Sequence, residues 1–237
     1  MIELLLIPIS FATSALAAAI GMGGGVLLIA LMPGLVPAGV IIPLHALTQL
    51  ASNLSRAGFG WRHIDGHLLP AIALGGIAGA WLGAGIYSQL DLDWLPAVIG
   101  VFILIITWLP LPTPAGRGQL ALLALGFYQT GLGMVAGATG PLGAAVLARH
   151  CLERDWLVVN TAAYMSVNHL LRAVAFGLLG FNLWQWWGLL LGMVLASIAG
   201  SWLGTRLRQF LPQADFARWF RFLVTLLALR MLVLPWL

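Results

Sequence analysis

Apolar residues run through this chain in long blocks. Polar residues collect at the block ends and, at regular spacing, inside two of the blocks. The blocks cover roughly 2–20, 24–32, 37–60, 68–89, 94–111, 119–136, 141–148, 156–181, 184–207 and 216–236. A helix needs about 20 residues to cross the bilayer core. Eight blocks come near that length; 24–32 and 141–148 do not, and each directly follows a glycine-rich break. The first break is Gly21-Met22-Gly23-Gly24-Gly25, the second Gly137-Ala138-Thr139-Gly140-Pro141. Both have apolar flanks, so neither reads as a loop in water. Irregular backbone at membrane depth is tolerated only where it is buried in protein or lines a cavity. The pattern predicts an all-α, polytopic membrane protein of about eight helical segments, with the first segment of each half broken or re-entrant.

The halves repeat. Ile77 to Gly83 reads IAGAWLG and Ile198 to Gly204 reads IAGSWLG, a shift of 121 positions (198 minus 77). Earlier in the halves the shift is 116 (137 minus 21), which sets Gly21 on Gly137, Gly24 on Gly140 and Arg56 on Arg172. Two membrane repeats are expected, 1–112 and 117–237, joined near Pro110 to Gly118. The spacings Gly75/Gly79/Gly83 and Gly200/Gly204 suit close helix packing.

Composition agrees: 61% of the 237 residues are hydrophobic and 8% charged, against about 25% charged in soluble domains. The net charge of +4 comes from eleven arginines and no lysine. In such a chain it bears on topology, not on nucleic acid. The single cysteine, Cys151, excludes an internal disulfide and any CxxC redox pair. No short apolar leader precedes a polar domain, so the first block is expected to stay in the membrane.

Arg62 with His63, Arg117, Arg149 with Arg154, and the group Arg206, Arg208, Arg218 and Arg221 occupy one set of turns. Asp91, Asp93, Asn182, Trp184, Trp186 and Trp187 occupy the other. Positive-inside places the arginine turns in the cytoplasm. That holds only if each broken segment and its short partner return to the side they entered, as a hairpin. The repeats are then inverted, and both termini lie outside the cytoplasm.

The candidate chemistry sits at the breaks and inside two blocks. Glycine lets backbone approach a ligand closely, and a helix start presents unpaired N–H groups with partial positive charge. Gly21, Gly23, Gly24 and Gly25, with Gly137, Thr139 and Gly140, are therefore candidates for an anion site. The alternative is that they only permit tight helix crossing. His45, Gln49, Ser52 and Arg56 share one helix face, with Thr48 and Asn53 beside it. Asn160, Tyr164, Asn168 and Arg172 are each four apart, with His169 adjacent. Burying an arginine in a bilayer costs about 2.5–3.5 kcal/mol on insertion scales. Arg56, six residues from Arg62, either snorkels to headgroups or serves a site; Arg172 is mid-span. Each histidine is either a packing residue or a functional one. Glu3, Asp65, Asp91, Asp93, Glu153, Asp155 and Asp215 all lie at ends or turns. Helix starts, two arginines and no buried carboxylate describe a site for a negatively charged solute.

With these residues in view, the chain resembles the sulfite exporter (TauE/SafE) family, also called the toluene sulfonate uptake permease family. The stretch Gly21 to Pro33, GMGGGVLLIALMP, looks like its signature. Arg62-His63-Ile64-Asp65 is like its basic turn ending in a hydrophobic residue and Asp, and IAGAWLG and IAGSWLG resemble its small-residue helices. The likeness covers nearly the whole chain. It implies about eight spans and transport of sulfur-containing organic or inorganic anions, often outward. The glycine motif carries over to Gly21, Gly23, Gly24 and Gly25. The second break departs: many relatives have another GxGGG where this chain has Gly137-Ala138-Thr139-Gly140-Pro141.

The expected function is a secondary transporter for sulfite, a sulfonate or a related anion, working by alternating access in a membrane of the bacterial inner type. Its partners are a small anionic solute and the lipid bilayer; a homo-oligomer stays open. The solute site would draw on the two breaks with His45, Gln49, Asn53, Arg56, Asn168, His169 and Arg172. No enzyme activity, metal or cofactor is expected. The competing readings are a membrane redox or assembly enzyme with His45 and His169 as ligands, and a passive anion channel.

Overall fold

The computed structural model describes residues 1–21, 23–109, 113–116, 118–210 and 216–233. Met22, Arg117, Asp215 and much of the junction between the halves fall outside these, as does the side chain of Arg218. The first five helices are α1 (Leu6–Ile20), α2 (Gly24–Leu31), α3 (Ala38–Phe59), α4 (Leu69–Tyr87) and α5 (Leu95–Trp108). They are followed by α6 (Gln119–Ala136), α7 (Gly140–Leu147), α8 (Arg154–Leu178), α9 (Trp187–Leu207) and α10 (Phe216–Val233). The apolar blocks anticipate all ten, with α5 shorter than its block.

The turns between long helices share one device. Asp65, Asp91 and Asn182 each accept a hydrogen bond from the backbone N–H two residues on, at His67, Asp93 and Trp184. Such side chains imitate a backbone turn, and each opens a short 3₁₀ segment leading into α4, α5 or α9. Asp65 of the basic turn therefore has a structural task. Its own N–H donates to Asn160 Oδ1 (2.7 Å), while Asn160 Nδ2 donates to the His63 carbonyl (2.8 Å), pinning this turn to α8.

Helix directions follow from which residues meet. Gly75, Gly79 and Gly83 of α4 lie against Leu123, Phe127 and Gly131 of α6 in the same order, so these helices run parallel. Gly192, Gly200 and Gly204 of α9 meet Ile7, Phe11 and Ala15 of α1 in the same order. Helices α3 and α9 also run parallel, since Thr48 lies by Met193 and Ser52 by Ser201. Helices α3 and α8 are antiparallel: Gly60 meets Val159 at one end and His45 meets His169 further along. So are α5 and α10, where Gly100 meets Ala228 and Met231 while Trp108 donates to Thr225.

Helices α1 and α3 thus point the same way with only short α2 between them, so α1 and α2 form a hairpin. Its base is at the Asp91 end, where Ile7 meets Gly192, Arg230 donates to the Pro33 carbonyl and Tyr87 to the Gly39 carbonyl. Helices α6 and α7 form the second hairpin, based at the arginine end, where Arg149 bonds Thr113 and the Pro114 carbonyl. The pairings α4–α6 and α9–α1 exchange when the halves are exchanged, and α3–α8 and α5–α10 map onto themselves. Antiparallel self-pairs require a two-fold axis perpendicular to the helices.

Among the described residues, four helical stretches are long and apolar enough to cross a membrane: Ile2–Ile20, Gly66–Tyr87, Gln119–Ala136 and Leu183–Phe210. Helices α3 and α8 are as long, at 22 and 25 residues, but their polar positions keep them outside that class. They are the central pair, and α1, α4, α6 and α9 screen them. The outer helices expose large apolar side chains such as Trp81, Leu120, Leu195 and Trp202, the surface a bilayer requires. The chain is a polytopic, all-α membrane protein.

A Cβ at Gly79 would fall on the Phe127 carbonyl oxygen, whereas one at Gly85 meets nothing within 4 Å. Overpacking costs about 1–3 kcal/mol. Thermal unfolding in detergent is expected to show Gly79→Val clearly destabilised and Gly85→Ala close to wild type. Equal melting of the two would remove the tight α4–α6 contact.

Candidate functional site

Each hairpin turns on glycines in the left-handed region. Gly21 (φ 102°) ends α1 and Gly23 (φ 94°) caps the start of α2; Gly137 (φ 77°) ends α6. Only glycine takes such angles routinely. The counterpart of Gly23 is Thr139, whose φ is −119°, so a side chain is tolerated there. The departure of the second break from GxGGG thus has a conformational cause. Gln129 Nε2 donates to the Thr139 carbonyl (3.0 Å), Thr139 Oγ1 to the Gln129 carbonyl (3.3 Å), and Pro141 stands in the first turn of α7.

The two breaks meet. Gly21, Gly23, Gly24, Gly25, Gly137, Ala138, Thr139 and Gly140 all line one cavity of about 50 Å³. The starts of both α2 and α7 therefore face it. Helix α3 contributes His45, Gln49, Asn53 and Arg56, and α8 contributes Thr161, Met165 and His169. Under the shift of 116, Thr161, Met165 and His169 are the counterparts of His45, Gln49 and Asn53, so the wall is built twice from equivalent positions.

Some expected site residues stand elsewhere. Ser52 is turned to α9, where Ser201 Oγ donates to its carbonyl (3.2 Å). Asn168 is turned to α6, accepting from Thr130 (3.0 Å) and donating to Gln129 (3.4 Å). Tyr164 donates to the Gly140 carbonyl (3.2 Å), steadying the start of α7, and Asn160 holds the basic turn. Arg172 stands one layer behind the wall, where Nη1 donates to the Gly137 carbonyl (2.7 Å) and to His169 Nδ1 (3.3 Å). The face of α8 toward the cavity is 161/165/169, one position on from the polar face most evident in the sequence. The overlooked signal was the repeat, which carries the positions of α3 onto it.

The electrostatics are one-sided. Arg56 is 5% exposed and Arg172 1%. Among the described residues the ion pairs are Arg208–Asp155 and the amino terminus with Glu3, so neither buried guanidinium has a carboxylate. Arg56 donates to Asn53 Oδ1, but its Nε has no partner, nor do Gln49 Nε2 or Arg172 Nε and Nη2. Buried donors without acceptors cost about 1–3 kcal/mol each, more when charged. The site has positive charge and N–H donors in surplus, which suits an anion; His45 Nδ1 and Thr161 Oγ1 of the wall are likewise without partners. His45 Nε2 is committed to the Gly25 carbonyl (2.9 Å) and His169 Nδ1 to Arg172. One remaining nitrogen per ring beside two guanidinium groups is a poor place for a metal cation.

The family model for sulfite exporter TauE/SafE matches residues 6–231, nearly the whole chain. The chain belongs to the sulfite exporter TauE/SafE family. No curated protein and no solved structure gives a significant match. The TauE/SafE match runs across both hairpins and both central helices. It makes the chain a membrane transporter of the sulfite-exporter type.

Gly24 has an ordinary helical setting: a Cβ there would fall on the Thr13 carbonyl oxygen and crowd Ala17. A Cβ at Gly25 would instead meet Gln49 Oε1 at 3.3 Å, and one at Gly140 meets only Met165 at 3.9 Å. Gly24→Ala is therefore expected to lower thermal stability by about 1–3 kcal/mol. Gly25→Ala and Gly140→Ala are expected to keep the fold and weaken anion binding, read by titration of detergent-purified protein. Unchanged affinity in both would detach the helix starts from any ligand.

Proposed function

We propose that this TauE/SafE chain is a secondary transporter for small sulfur-containing anions, sulfite, a sulfonate or a related organosulfur anion, moved outward by alternating access. The observation that carries the reading is a cavity lined by both hairpin tips and by Arg56, with Arg172 directly behind its wall, both guanidinium groups buried and without a carboxylate. Arg56 meets the anion at the wall. Arg172 adds charge from behind and holds the Gly137 carbonyl. The starts of α2 and α7 offer N–H groups to the oxygens, with Gln49, Asn53, Thr139 and His169 as further partners. The two halves, 1–112 and 117–237, act as inverted repeats that rock about this site. The location is a bacterial inner-type membrane, with the arginine turns in the cytoplasm.

The functional test is a panel of anions in liposomes holding the purified protein. Sulfite or a sulfonate is expected to be carried and to exchange with itself across the bilayer. Flux without exchange would favour a channel. Arg56→Gln is expected to cost about ten- to a hundred-fold in affinity, the worth of a charged hydrogen bond. Arg172→Gln is expected to abolish transport in protein that still inserts and folds. Normal transport by both variants would make the arginines structural.

Orientation has its own measurement. With Cys151 changed to Ser, single cysteines at Gly118 and Arg206 are expected to react with impermeant reagent from the cytoplasmic side only, and one at Asp91 from the opposite side only. Labelling of positions 118 and 206 from different sides would end the inverted-repeat reading.

A further inference from the structure

One histidine in the cavity wall, His45, remains without a task. His45 and His169 are each 1% exposed, and their rings stand edge to face with centroids 5.8 Å apart. Their hydrogen bonds make them unequal. A carbonyl oxygen only accepts, so His45 Nε2, 2.9 Å from the Gly25 carbonyl, carries the hydrogen. In the neutral ring Nδ1 then holds the lone pair, and this nitrogen is buried without a partner. A guanidinium only donates, so the lone pair of His169 Nδ1 is occupied by Arg172. A proton added there would break that bond and set imidazolium against guanidinium. Among the described residues of the wall, His45 Nδ1 is the basic nitrogen free to take a proton.

The groups around it come from several helices. Helix α8 brings Arg172 and His169, and α3 itself brings Arg56 further along the wall, with Tyr164 of α8 near Arg56. Helices α1, α2 and α5 bring no titratable side chain. Tyr128 is on α6, and Arg206 of α9 lies at the arginine end. All the fixed charges near His45 are positive. A proton on Nδ1 would set a further cation beside the Arg172 guanidinium, in a wall that already holds Arg56. An anion seated in the cavity turns that repulsion into attraction.

Resting on the anion-transport reading above, we propose that His45 Nδ1 is the proton site of the transport cycle. A proton from the aqueous phase binds Nδ1 as the anion enters, and the Nδ1–H bond breaks to release it as the anion leaves. Anion occupancy and protonation are linked, and the protein is a proton–anion symporter. His169, its Nδ1 engaged by Arg172, stays a hydrogen-bond partner of the anion and takes no proton.

The test is calorimetric titration of the purified full chain in detergent near neutral pH, in two buffers of different ionisation enthalpy. Sulfite and methanesulfonate are the probes; methanesulfonate holds no titratable proton there, so any uptake belongs to the protein. Wild type is expected to take up about one proton per methanesulfonate, with affinity falling about tenfold per pH unit on the alkaline side. His45→Gln, whose amide can still reach the Gly25 carbonyl, is expected to lose the uptake. His169→Gln is expected to bind more weakly and keep it. Equal uptake in wild type and His45→Gln, or none in wild type with an anion bound, overturns the inference and leaves the transport reading standing. Should wild type bind neither probe, the transport reading falls and the inference falls with it. If His45→Gln does not fold, wild-type uptake with methanesulfonate decides alone.

Discussion

Two guanidinium groups buried away from any carboxylate constrain the rest of this fold. Charge in a low-dielectric interior is costly unless paired. Here the partial relief comes from backbone and amide oxygens: Gly137 for Arg172 and Asn53 for Arg56. Supplying the Gly137 carbonyl requires α6 to stop inside the protein, which requires a left-handed residue, which requires glycine. The same break frees the start of α7 to face the cavity. Hairpins, glycines and arginines are therefore one construction. An apolar jacket must surround it, because α3 and α8 carry too many polar groups to face lipid. Helices α1, α4, α6 and α9 form that jacket, and their glycines let backbone lie on backbone where they cross.

The fold was largely legible in the chain because a membrane protein writes its helices as apolar blocks. Block ends foretold the helices to within a few residues, and the charge pattern foretold the hairpins. Hidden from that pattern was which polar residues face inward. Asn160, Tyr164, Asn168 and Arg172 form an evident stripe on α8, yet each holds another part of the protein: the basic turn, α7, α6 and the Gly137 carbonyl. The wall itself uses Thr161 and Met165, which carry no mark of function. Periodicity reports that a face is polar. It does not say whether that face meets a ligand or a neighbouring helix.

The two-fold relation also explains where the halves differ. Gly23 and Thr139 are counterparts with opposite signs of φ, so the second break needs one left-handed glycine where the first needs two. Thr161 is the counterpart of His45, and Met165 that of Gln49. Hydrogen-bonding capacity in the wall is thus greater on the α3 side than on the α8 side.

That asymmetry extends to the closures at the two ends. The tip of α1 is tied at the arginine end by polar bonds: Arg208 Nε to the Ala18 carbonyl (3.0 Å), Arg154 to the Ala19 carbonyl (3.0 Å), and Arg208 to Asp155 (2.8 Å). Beyond it lies an open groove of about 740 Å³ lined by His63, Glu153, Arg154, Asp155, Arg206 and Arg208. Toward the Asp91 end apolar side chains pack together, among them Ile29, Met32, Ile41 and Phe176, beside the bonds of Arg230 to the Pro33 carbonyl and Tyr87 to the Gly39 carbonyl. The two seals answer to different forces. Apolar packing loosens only by moving helices apart. A polar tie can exchange partners. Asp155 is half exposed, so water already shares that ion pair, and its loss costs little. The arginine end is therefore held by polar ties that water reaches, and the Asp91 end chiefly by apolar packing.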